Sequence, residues 1–319
     1  MDLEIVPFDD RFAGQAAQLI AGDHASTGTD LADADAARRL VAEWQGDGPA
    51  VAAVAQGELV GFMAASAPAF PGHQLARIRL QQHASVPEGK REIYRRLYGA
   101  LSEQLTAVGA FEHSVMVAAA HQPVITCLFE LGFGIDQVKG IRQAAPIGAA
   151  GTTEVREAGA EDLSELLDLT VELQRFHAAP PILRPALLDL RAIRDDLRTS
   201  LVDPDRVVLV AAEHERLIGM IQAGRDNRFP DTATIGLAVV TAGARSGGVG
   251  TALLSGVLGW ASRCGFRSCG TEWSSANLVS DAFWRDHGFS PARYTLTRLI
   301  DARVAWAHTR LSYRYFSGP

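Results

Sequence analysis

The second half of the chain alternates short apolar runs with longer stretches in which leucines recur at helical spacing. Apolar residues at every third or fourth position predict amphipathic helices, whereas short runs rich in valine and isoleucine predict strands. The predicted order is a strand, two helices, a hairpin at about 206–213 and 216–223, the strand "TATIGLAVV", a helix, the strand "FRSCGTEW", a helix at about 277–287 and the strand "ARYTLTRLI". Proline is tolerated in the first turn of a helix, so the second helix is expected to begin at Pro185. This order predicts a mixed α/β fold rather than a regular βαβαβ series.

Landmarks of this pattern occur twice in the chain. A hairpin carries Gly61 in the first half and Gly219 in the second, 158 positions later. A Gly-Phe pair begins at Gly132 and again at Gly288, 156 positions later. Two landmarks with nearly the same offset indicate a duplicated unit. The small, nearly uncharged stretch 143–152 is interpreted as a linker between domains at 1–142 and 153–319.

Composition limits the possible partners and locations. The net charge of −7 argues against nucleic acid or an anionic membrane as a partner. The three cysteines form no CxxC pair and the nine histidines show no ligand spacing, so neither a disulfide framework nor a metal site is expected. The acidic N-terminus does not resemble a signal peptide, and the uncharged stretch 246–262 is predicted to be a buried amphipathic helix. These features favour a cytoplasmic protein, either a monomer or a homodimer.

Three glycines cluster in "ARSGGVGTALL", between a predicted strand and a predicted helix. A Walker A loop would need Gly-Lys-Ser/Thr, which is absent here. A dinucleotide fingerprint has some support, since Glu272 follows about twenty residues on, but Leu253 stands where that motif requires Gly or Ala. A tight turn that only packs the helix is the simplest alternative. Exposed N–H groups at a helix N-terminus favour an anion site instead.

The stretch Arg245 to Gly250 matches the (Arg/Gln)-x-x-Gly-x-Gly/Ala signature of the GCN5-related N-acetyltransferases, abbreviated GNAT. Downstream, "SSANLVSDAFWRDHGF" resembles the second motif of that superfamily, in which an Asn opens a helix that ends in Gly-Phe. The resemblance covers about 153–300, whereas the first copy shares only the hairpin and the Gly-Phe pair. The resemblance implies two tandem GNAT-like domains, as in mycothiol synthases. Each would be a mixed, mostly antiparallel, twisted sheet flanked by helices.

The resemblance also implies an acetyl-CoA site in the second copy. Its pyrophosphate would lie on the N–H groups of the glycine loop, and its pantetheine arm would run beside the strand before that loop, like an added strand. Arg245 would add positive charge near the phosphates. The cofactor-binding residues that the resemblance implies are Ala238, Val239, Val240, Arg245, Ser246, Gly247, Gly248, Val249, Gly250, Thr251, Asn277 and Trp284. The crowded, proline-containing turn of the first copy, "QQHASVPEGKREIYRRL", predicts that only one CoA binds per chain.

The expected chemistry requires a base, because an amine must lose a proton before it attacks a thioester. Glu272 takes the strand position of the base in enzymes that resemble the ribosomal-protein alanine acetyltransferases, and Asp231, acting through a water, is the alternative. The superfamily usually places a tyrosine acid four residues before the helix-ending glycine, but Trp284 stands there and has no acidic proton. Either the thiolate leaves unassisted, or a hydroxyl such as Ser280 or Ser274 assists.

These features predict an acetyl-CoA-dependent N-acetyltransferase that acts on a small primary amine. The segments "QRFHAAPPILRP" and "GRDNRFPD" are expected to recognise the amine, with Phe176, His177 and Phe229 as an aromatic wall. His177 could equally be a residue that only caps its helix. The alternative function is a non-catalytic acyl-CoA-binding or regulatory protein, and a weaker one is a dinucleotide-dependent oxidoreductase.

Overall fold

The computed structural model describes residues 2–24, 33–66, 75–148, 153–186, 189–226, 229, 231–301 and 303–307. Within these residues, no helix combines the length and the apolar character needed to cross a membrane. The chain divides into two compact units. Unit 1 contains Met1–Gln137 together with Ala292–Pro319, and unit 2 contains Val138–Pro291.

The first half of the chain supplies most of unit 1. Its strands are β1 (Glu4–Pro7), β2 (Ala50–Ala55), β3 (Glu58–Ala64), β4 (Leu75–Ile78), β5 (His83–Ser85), β6 (Glu112–Ala118) and β7 (Gly134–Gln143). Its helices are α1 (Ala13–His24), α2 (Ala34–Trp44), α3 (Lys90–Ala107) and α4 (Gln122–Glu130). The strands β1, β2, β3 and β5 form an antiparallel sheet in that order, and β4 pairs with β6 in parallel.

The second half follows this order except that one strand stands where the first half has β4 and β5. Its strands are β8 (Val155–Glu157), β9 (Arg206–Glu213), β10 (Arg216–Arg225), β11 (Thr232–Val240), β12 (Ser268–Ser274) and β13 (Ser290–Leu299). Its helices are α5 (Leu163–Ala178), α6 (Leu190–Ser200), α7 (Val249–Arg263), α8 (Leu278–Asp286) and α9 (Val304–Ala307). In unit 2 the strands lie in the order β7-β12-β11-β10-β9-β8, antiparallel from β8 to β11 and parallel between β11 and β12.

The final strands depart from the simple division predicted from sequence. The strand β13 ends the second half, but its residues from Arg293 to Leu299 pair antiparallel with β6 of unit 1. The strand β7 ends the first half, but its residues from Val138 onward belong to unit 2, where β7 lies next to β12. The unit boundaries therefore fall inside β7 and β13, rather than in the stretch 143–152. A strand pattern indicates that a strand forms, but not which of two equivalent sheet edges it joins.

Local sequence explains how the elements of unit 2 begin and turn. The hairpin turn between β9 and β10 places His214 and Glu215 in the left-handed region, with φ values of 49° and 64°. Two left-handed residues in succession match the right-handed twist of the strands that they join. The helix α6 begins later than the predicted Pro185, because the carboxylate of Asp189 accepts hydrogen bonds from the N–H groups of Arg191 and Ala192 and caps it there.

The core of unit 2 positions the predicted site from both sides of the sheet. On one side, Leu166 and Leu169 of α5 pack with Leu197 of α6 against the buried side chains of β9, β10 and β11. On the other side, α7 buries the face that contains Leu253, Leu254, Val257 and Leu258, as expected for an amphipathic core helix. The sheet therefore holds the end of β11 against the start of α7.

Candidate active site

A cavity of about 460 Å³ lies where the end of β11 meets the first turns of α7 and α8. The cavity is bounded by β10 and β11, by the loop before α7, and by the facing sides of α5, α7 and α8. Its lining includes ten of the twelve cofactor residues predicted from sequence: Ala238, Val239, Val240, Arg245, Ser246, Gly248, Gly250, Thr251, Asn277 and Trp284. Gly247 and Val249 belong to the same loop and helix start but are not part of the lining, and Val249 is buried. One concave site thus brings most of the predicted set together.

The cavity opens because two parallel strands separate. The paired residues of β11 and β12 run from Thr232–Ser268 to Ile235–Thr271, where the pairing ends. Both strands continue beyond this point, β11 to Val240 and β12 to Ser274. Residues 236–240 of β11 therefore present one edge to β10 and leave the other edge open. Such an edge can hydrogen-bond an extended ligand as if it were an additional strand.

The hydrogen-bond pattern identifies which residues face this open edge. The N–H group of Thr241 donates to the carbonyl of Ile218, so the pair of residues at this register position is hydrogen-bonded. Hydrogen-bonded and non-hydrogen-bonded pairs alternate along antiparallel strands. The main-chain groups of Val239 therefore face β10, and those of Ala238 and Val240 face the open edge. Of the three predicted strand contacts, Ala238 and Val240 are thus placed to hydrogen-bond a ligand through the main chain.

The loop before α7 directs backbone N–H groups into the cavity. Gly248 caps the helix with a φ of 84°, a left-handed conformation that glycine adopts without strain. The first intrahelical hydrogen bond runs from the N–H of Ala252 to the carbonyl of Gly248. The N–H groups of Val249, Gly250 and Thr251 precede this bond, so they have no acceptor within the helix. Three such groups and the positive end of the helix dipole favour an anion at this position.

Two side chains narrow the site around the loop. The Nε atom of Arg245 donates to the carbonyl of Val240 at 3.1 Å, and its guanidinium lies 4.4 Å from the centre of the Phe176 ring. Arg245 therefore connects the loop to the end of α5, and it occupies one of the main-chain acceptors of the open edge. A Cβ atom built on Gly250 would lie 3.2 Å from the Phe283 ring, so any side chain at this position would compete for space in the cavity.

The start of α8 forms the wall opposite the loop. The side chain of Asn277 caps α8 by accepting a hydrogen bond from the N–H of Ser280 at 3.1 Å, and it is buried. Ser280 and Trp284 are four residues apart, on one face of the helix, and both line the cavity. The Trp284 ring is buried edge-on between the rings of Phe283 and Phe289, at 4.9 and 5.1 Å. Trp284 thus shapes the cavity at the position of the usual tyrosine.

The two predicted bases lie at different ends of the strands. Thr271 is opposite Ile235, so Glu272 is level with Gly236, where β11 and β12 begin to separate. The side chain of Glu272 is exposed, is not part of the cavity lining, and shares the sheet face of Gly270 and Thr234. Asp231 precedes the start of β11, and at about 3.3 Å per residue it lies roughly 20 Å along the strand from Ala238. Its carboxylate is exposed and pairs with Arg267. The length of β11 therefore separates Asp231 from the cavity.

A second groove, of about 710 Å³, lies between α5, α6 and the strands β9 to β11. The register between β10 and β11 shifts beside this groove, so Gly236 is the extra residue of a β-bulge. Gly236 lines the groove, and a Cβ atom built on it would have no neighbour within 4 Å. Three carboxylates and two guanidinium groups line the groove: Asp196, Asp203, Asp205, Arg206 and Arg225. Asp196 accepts hydrogen bonds from Arg206 at 2.8 Å and from Gln222 at 3.3 Å. Sequence reasoning missed these residues, since each is an ordinary surface charge when considered alone.

The residues predicted to recognise the amine are only partly brought together. Phe176 lines the cavity at the end of β11, and Gln174 of the same segment lines the groove. Neither His177 nor Phe229 is part of either lining. Burial lowers the pKa of His177. The polar residues of α6 and β10 therefore contribute more to the groove than the predicted aromatic wall does.

The equivalent position in unit 1 is filled by side chains. The hairpin glycine of unit 1, Gly61, pairs with Ser85 of β5, and that of unit 2, Gly219, pairs with Val240 of β11. Two residues earlier on the second strand, His83 of β5 therefore corresponds to Ala238 of β11. The buried His83 ring crosses from β5 to β6, with Nε2 at 2.8 Å from the carbonyl oxygen of Met116. Its Nδ1 lies 2.7 Å from the buried hydroxyl of Tyr94 on α3. In unit 2 the two strands separate and leave an open edge, whereas in unit 1 the imidazole ring of His83 bridges the corresponding strands.

The start of α3 borders a shallow groove of about 490 Å³ that is lined by Gly89, Lys90 and Arg91, and its basic side chains are held in ion pairs. Gly89 caps α3 in the left-handed conformation, as Gly248 caps α7. The Nζ atom of Lys90 pairs with Asp23 at 2.5 Å, and both side chains are largely buried. Arg91 and Arg95 pair with Glu130 on α4. Lys90, Arg91 and Arg95 are therefore each paired with a carboxylate within unit 1, although Arg91 and Arg95 share Glu130.

Comparisons with known proteins identify the fold. Residues 167–289 match the model of the acetyltransferase (GNAT) family. A GCN5-related N-acetyltransferase from Sphaerobacter thermophilus superposes with a TM-score of 0.62 at 16% identity, over 93% of this chain and 95% of that chain. A tandem GNAT protein from the clavulanic acid biosynthesis pathway gives a TM-score of 0.53 at 19% identity, over 93% of this chain and 98% of that chain. A GNAT-family acetyltransferase from Colwellia psychrerythraea also gives 0.53, at 13% identity, over 93% of this chain and 100% of that chain.

No curated protein matches the sequence. At these identities the superpositions establish the fold, and the residues that match the family model include those that line the cavity of unit 2. The predicted fold class, two tandem GNAT-like domains of mixed α/β structure, is confirmed. Residues 167–289 are thus similar to the acetyltransferase (GNAT) family, and the chain has the fold seen in a tandem GNAT protein.

Proposed function

We propose that the protein is an N-acetyltransferase that transfers the acetyl group of acetyl-CoA directly to a small primary amine. The observation that carries this proposal is that one cavity combines the open edge of β11 with the N-terminus of α7. CoA is an extended amide-containing chain attached to a diphosphate. An unpaired strand edge and a cluster of free N–H groups are complementary to these two parts.

Residues of the cavity and of the adjoining loop are suited to two parts of the cofactor, the diphosphate and the pantetheine arm. The N–H groups of Val249, Gly250 and Thr251 would hold the diphosphate. The main-chain groups of Ala238 and the N–H of Val240 would hold the amides of the pantetheine arm. Arg245 lines the same cavity and contributes positive charge beside the loop. The bound cofactor would supply an activated acetyl thioester. Residues of this chain would remove a proton from the amine and donate one to the departing thiolate.

The polar groove beside the bulge at Gly236, between α5, α6 and the strands β9 to β11, is the proposed amine site. Three carboxylates against two guanidinium groups give its lining a slight negative charge, which favours a cationic ammonium group. Gly236 has no side chain between the groove and the strand edge, so an amine can approach the point where β11 and β12 separate. The amine and the cofactor would then meet in a ternary complex, with no acyl-enzyme step.

Glu272 is proposed to remove the proton of the attacking amine. It is level with Gly236 and lies on the same sheet face as Thr234, which lines the amine groove. A primary amine of lysine type has a pKa near ~10.4, so a nearby base is needed at neutral pH. Ser280, which lines the cavity one turn before Trp284, is the proposed hydroxyl that donates a proton towards the departing thiolate.

The proposal is tested by incubating the intact protein with acetyl-CoA and a panel of primary amines, followed by measurement of free thiol and acetylated amine. We expect thiol release that depends on the amine, in equal amount to the acetylated product. Tight CoA binding without turnover on any amine would favour the regulatory alternative, which the replacement of the usual tyrosine by Trp284 suggests. Binding of NAD(P) in place of CoA would contradict both functions.

A further inference from the structure

A histidine that the family signature does not include contacts the proposed diphosphate site. Nε2 of His287 lies 3.0 Å from the hydroxyl oxygen of Thr251, and Nδ1 of His287 lies 2.7 Å from the carbonyl oxygen of Phe283. The His287 ring also stacks on the Phe283 ring, with 4.3 Å between the centres. Thr251 lines the cavity, so a hydrogen-bonded chain connects the cavity wall to a titratable ring.

The partners of this ring determine where its protons lie. The carbonyl of Phe283 can only accept a hydrogen bond, so Nδ1 of His287 carries a proton. In the neutral ring Nε2 then has no proton and is an acceptor. The hydroxyl of Thr251 must therefore donate its only proton to Nε2. In this state Thr251 presents only lone pairs to the cavity, where the phosphate oxygens of a bound cofactor are also acceptors.

Protonation of His287 reverses this arrangement. Nε2 then donates to the Thr251 oxygen, so the hydroxyl proton of Thr251 is released to point into the cavity. A phosphate oxygen gains a donor in this way, and a positive charge lies one side chain behind it. Hydrogen bonds to charged groups are among the stronger ones in proteins.

We propose that His287 is a positioning residue that sets the direction of the Thr251 hydroxyl, and that CoA binding is thereby coupled to the uptake of a proton. The inference rests on the proposed cofactor site. It adds that the diphosphate binds more tightly when His287 is protonated, which no feature of the family signature requires.

Several charged groups lie on the elements that pack around His287. The charged residues of α8 are Asp281, Arg285 and Asp286, and the charged residue of β7 that contacts His287 is Arg142. Asp281 and Arg285 pair with each other at 2.9 Å. The guanidinium of Arg142 donates to the backbone carbonyl of His287 rather than to its ring. On α7, the stretch 246–262 that includes Thr251 has no charged residue, and Arg245 lies at the other end of the loop.

The test measures the dissociation constant of dephospho-CoA between about pH 5.5 and about pH 7.5, where histidine titrates. Dephospho-CoA lacks the 3′-phosphate, whose second ionisation near pH 6 would obscure the effect. We expect the affinity for dephospho-CoA to rise about tenfold from the upper to the lower pH, the scale of one hydrogen bond to a charged group. Pantetheine, which has no diphosphate, serves as the control ligand, and its binding is expected to be independent of pH.

Two variants separate a positioning role from a structural one. Thr251→Val removes the hydroxyl at constant shape, and His287→Gln replaces the titrating ring with an uncharged amide. Both are expected to bind dephospho-CoA with an affinity that no longer changes with pH. A flat pH profile in the wild-type protein, or a Thr251→Val protein that keeps the wild-type slope, would overturn the inference while leaving the cofactor site intact. A wild-type protein that binds no CoA at any pH would instead overturn the proposed function, and this inference with it.

Discussion

Replacement of Gly250 by valine is expected to abolish CoA binding in a protein that remains folded. A Cβ atom at this position lies 3.2 Å from the Phe283 ring, and the two additional methyl groups must extend into the cavity. There they would cover the N–H groups of the first turn of α7 and exclude a diphosphate. Crowding of this kind costs about 1–3 kcal/mol of stability, which lowers the melting temperature without preventing folding.

The matched control is Gly243→Val, in the same connection between β11 and α7. A Cβ atom at Gly243 has no neighbour within 4 Å, and Gly243 is not part of the cavity lining. Calorimetric titration with CoA, together with thermal unfolding, should show binding in the Gly243 variant and none in the Gly250 variant. Equal affinity in both folded proteins would show that the diphosphate does not lie on this helix.

Replacement of Glu272 by glutamine is expected to lower turnover by roughly 10²–10⁴, the usual effect of removing a general base. Glutamine keeps the size of the side chain but cannot accept a proton from the amine at neutral pH. The CoA affinity should stay close to that of the wild type, because Glu272 is not part of the cofactor cavity. Steady-state rates with the best amine of the panel, measured across pH, would report this effect.

Asp231→Asn is the control for this substitution, since Asp231 is the other carboxylate that the sequence indicates as a base. Its side chain is exposed, lies at the far end of β11 and pairs only with the exposed Arg267 among the ion pairs of the described residues. Exposed pairs contribute little to stability, so this variant should be folded and fully active. Full activity in Glu272→Gln across the pH range, or a large loss in Asp231→Asn, would contradict the assignment.

Structure could be predicted from the sequence where the local backbone conformation restricts which residue types are possible. The glycine loop before α7 is an example, because its left-handed cap at Gly248 and the close approach of Gly250 to Phe283 both restrict the residue type. The hairpin of β9 and β10 is another, because alternation and a charged turn predict it without tertiary information. For the same reason ten of the twelve residues predicted around the glycine loop line one cavity, whereas the charged residues of the groove were not predicted.

The features that escaped prediction depend on distant parts of the chain. The exchange of β7 and β13 involves two strands that are equally suited to either sheet edge. The groove combines Asp196 of α6 with Gln222 of β10, and the contact between them exists only in the folded protein. His287 directly precedes the second Gly-Phe pair in the sequence, but its hydrogen bond to Thr251 spans 36 positions and has no local signature.

The central claim is that unit 2 binds the cofactor and that unit 1 does not. In unit 1, His83 takes the place of Ala238 and bridges β5 and β6, and Lys90 is paired with Asp23 at the start of α3. To open this path, a CoA molecule would have to displace a buried imidazole and break a largely buried ion pair, which is costly. Calorimetric titration of CoA into the intact protein tests this claim most directly. The structure predicts one site per chain, and a stoichiometry near two with similar affinities would contradict it.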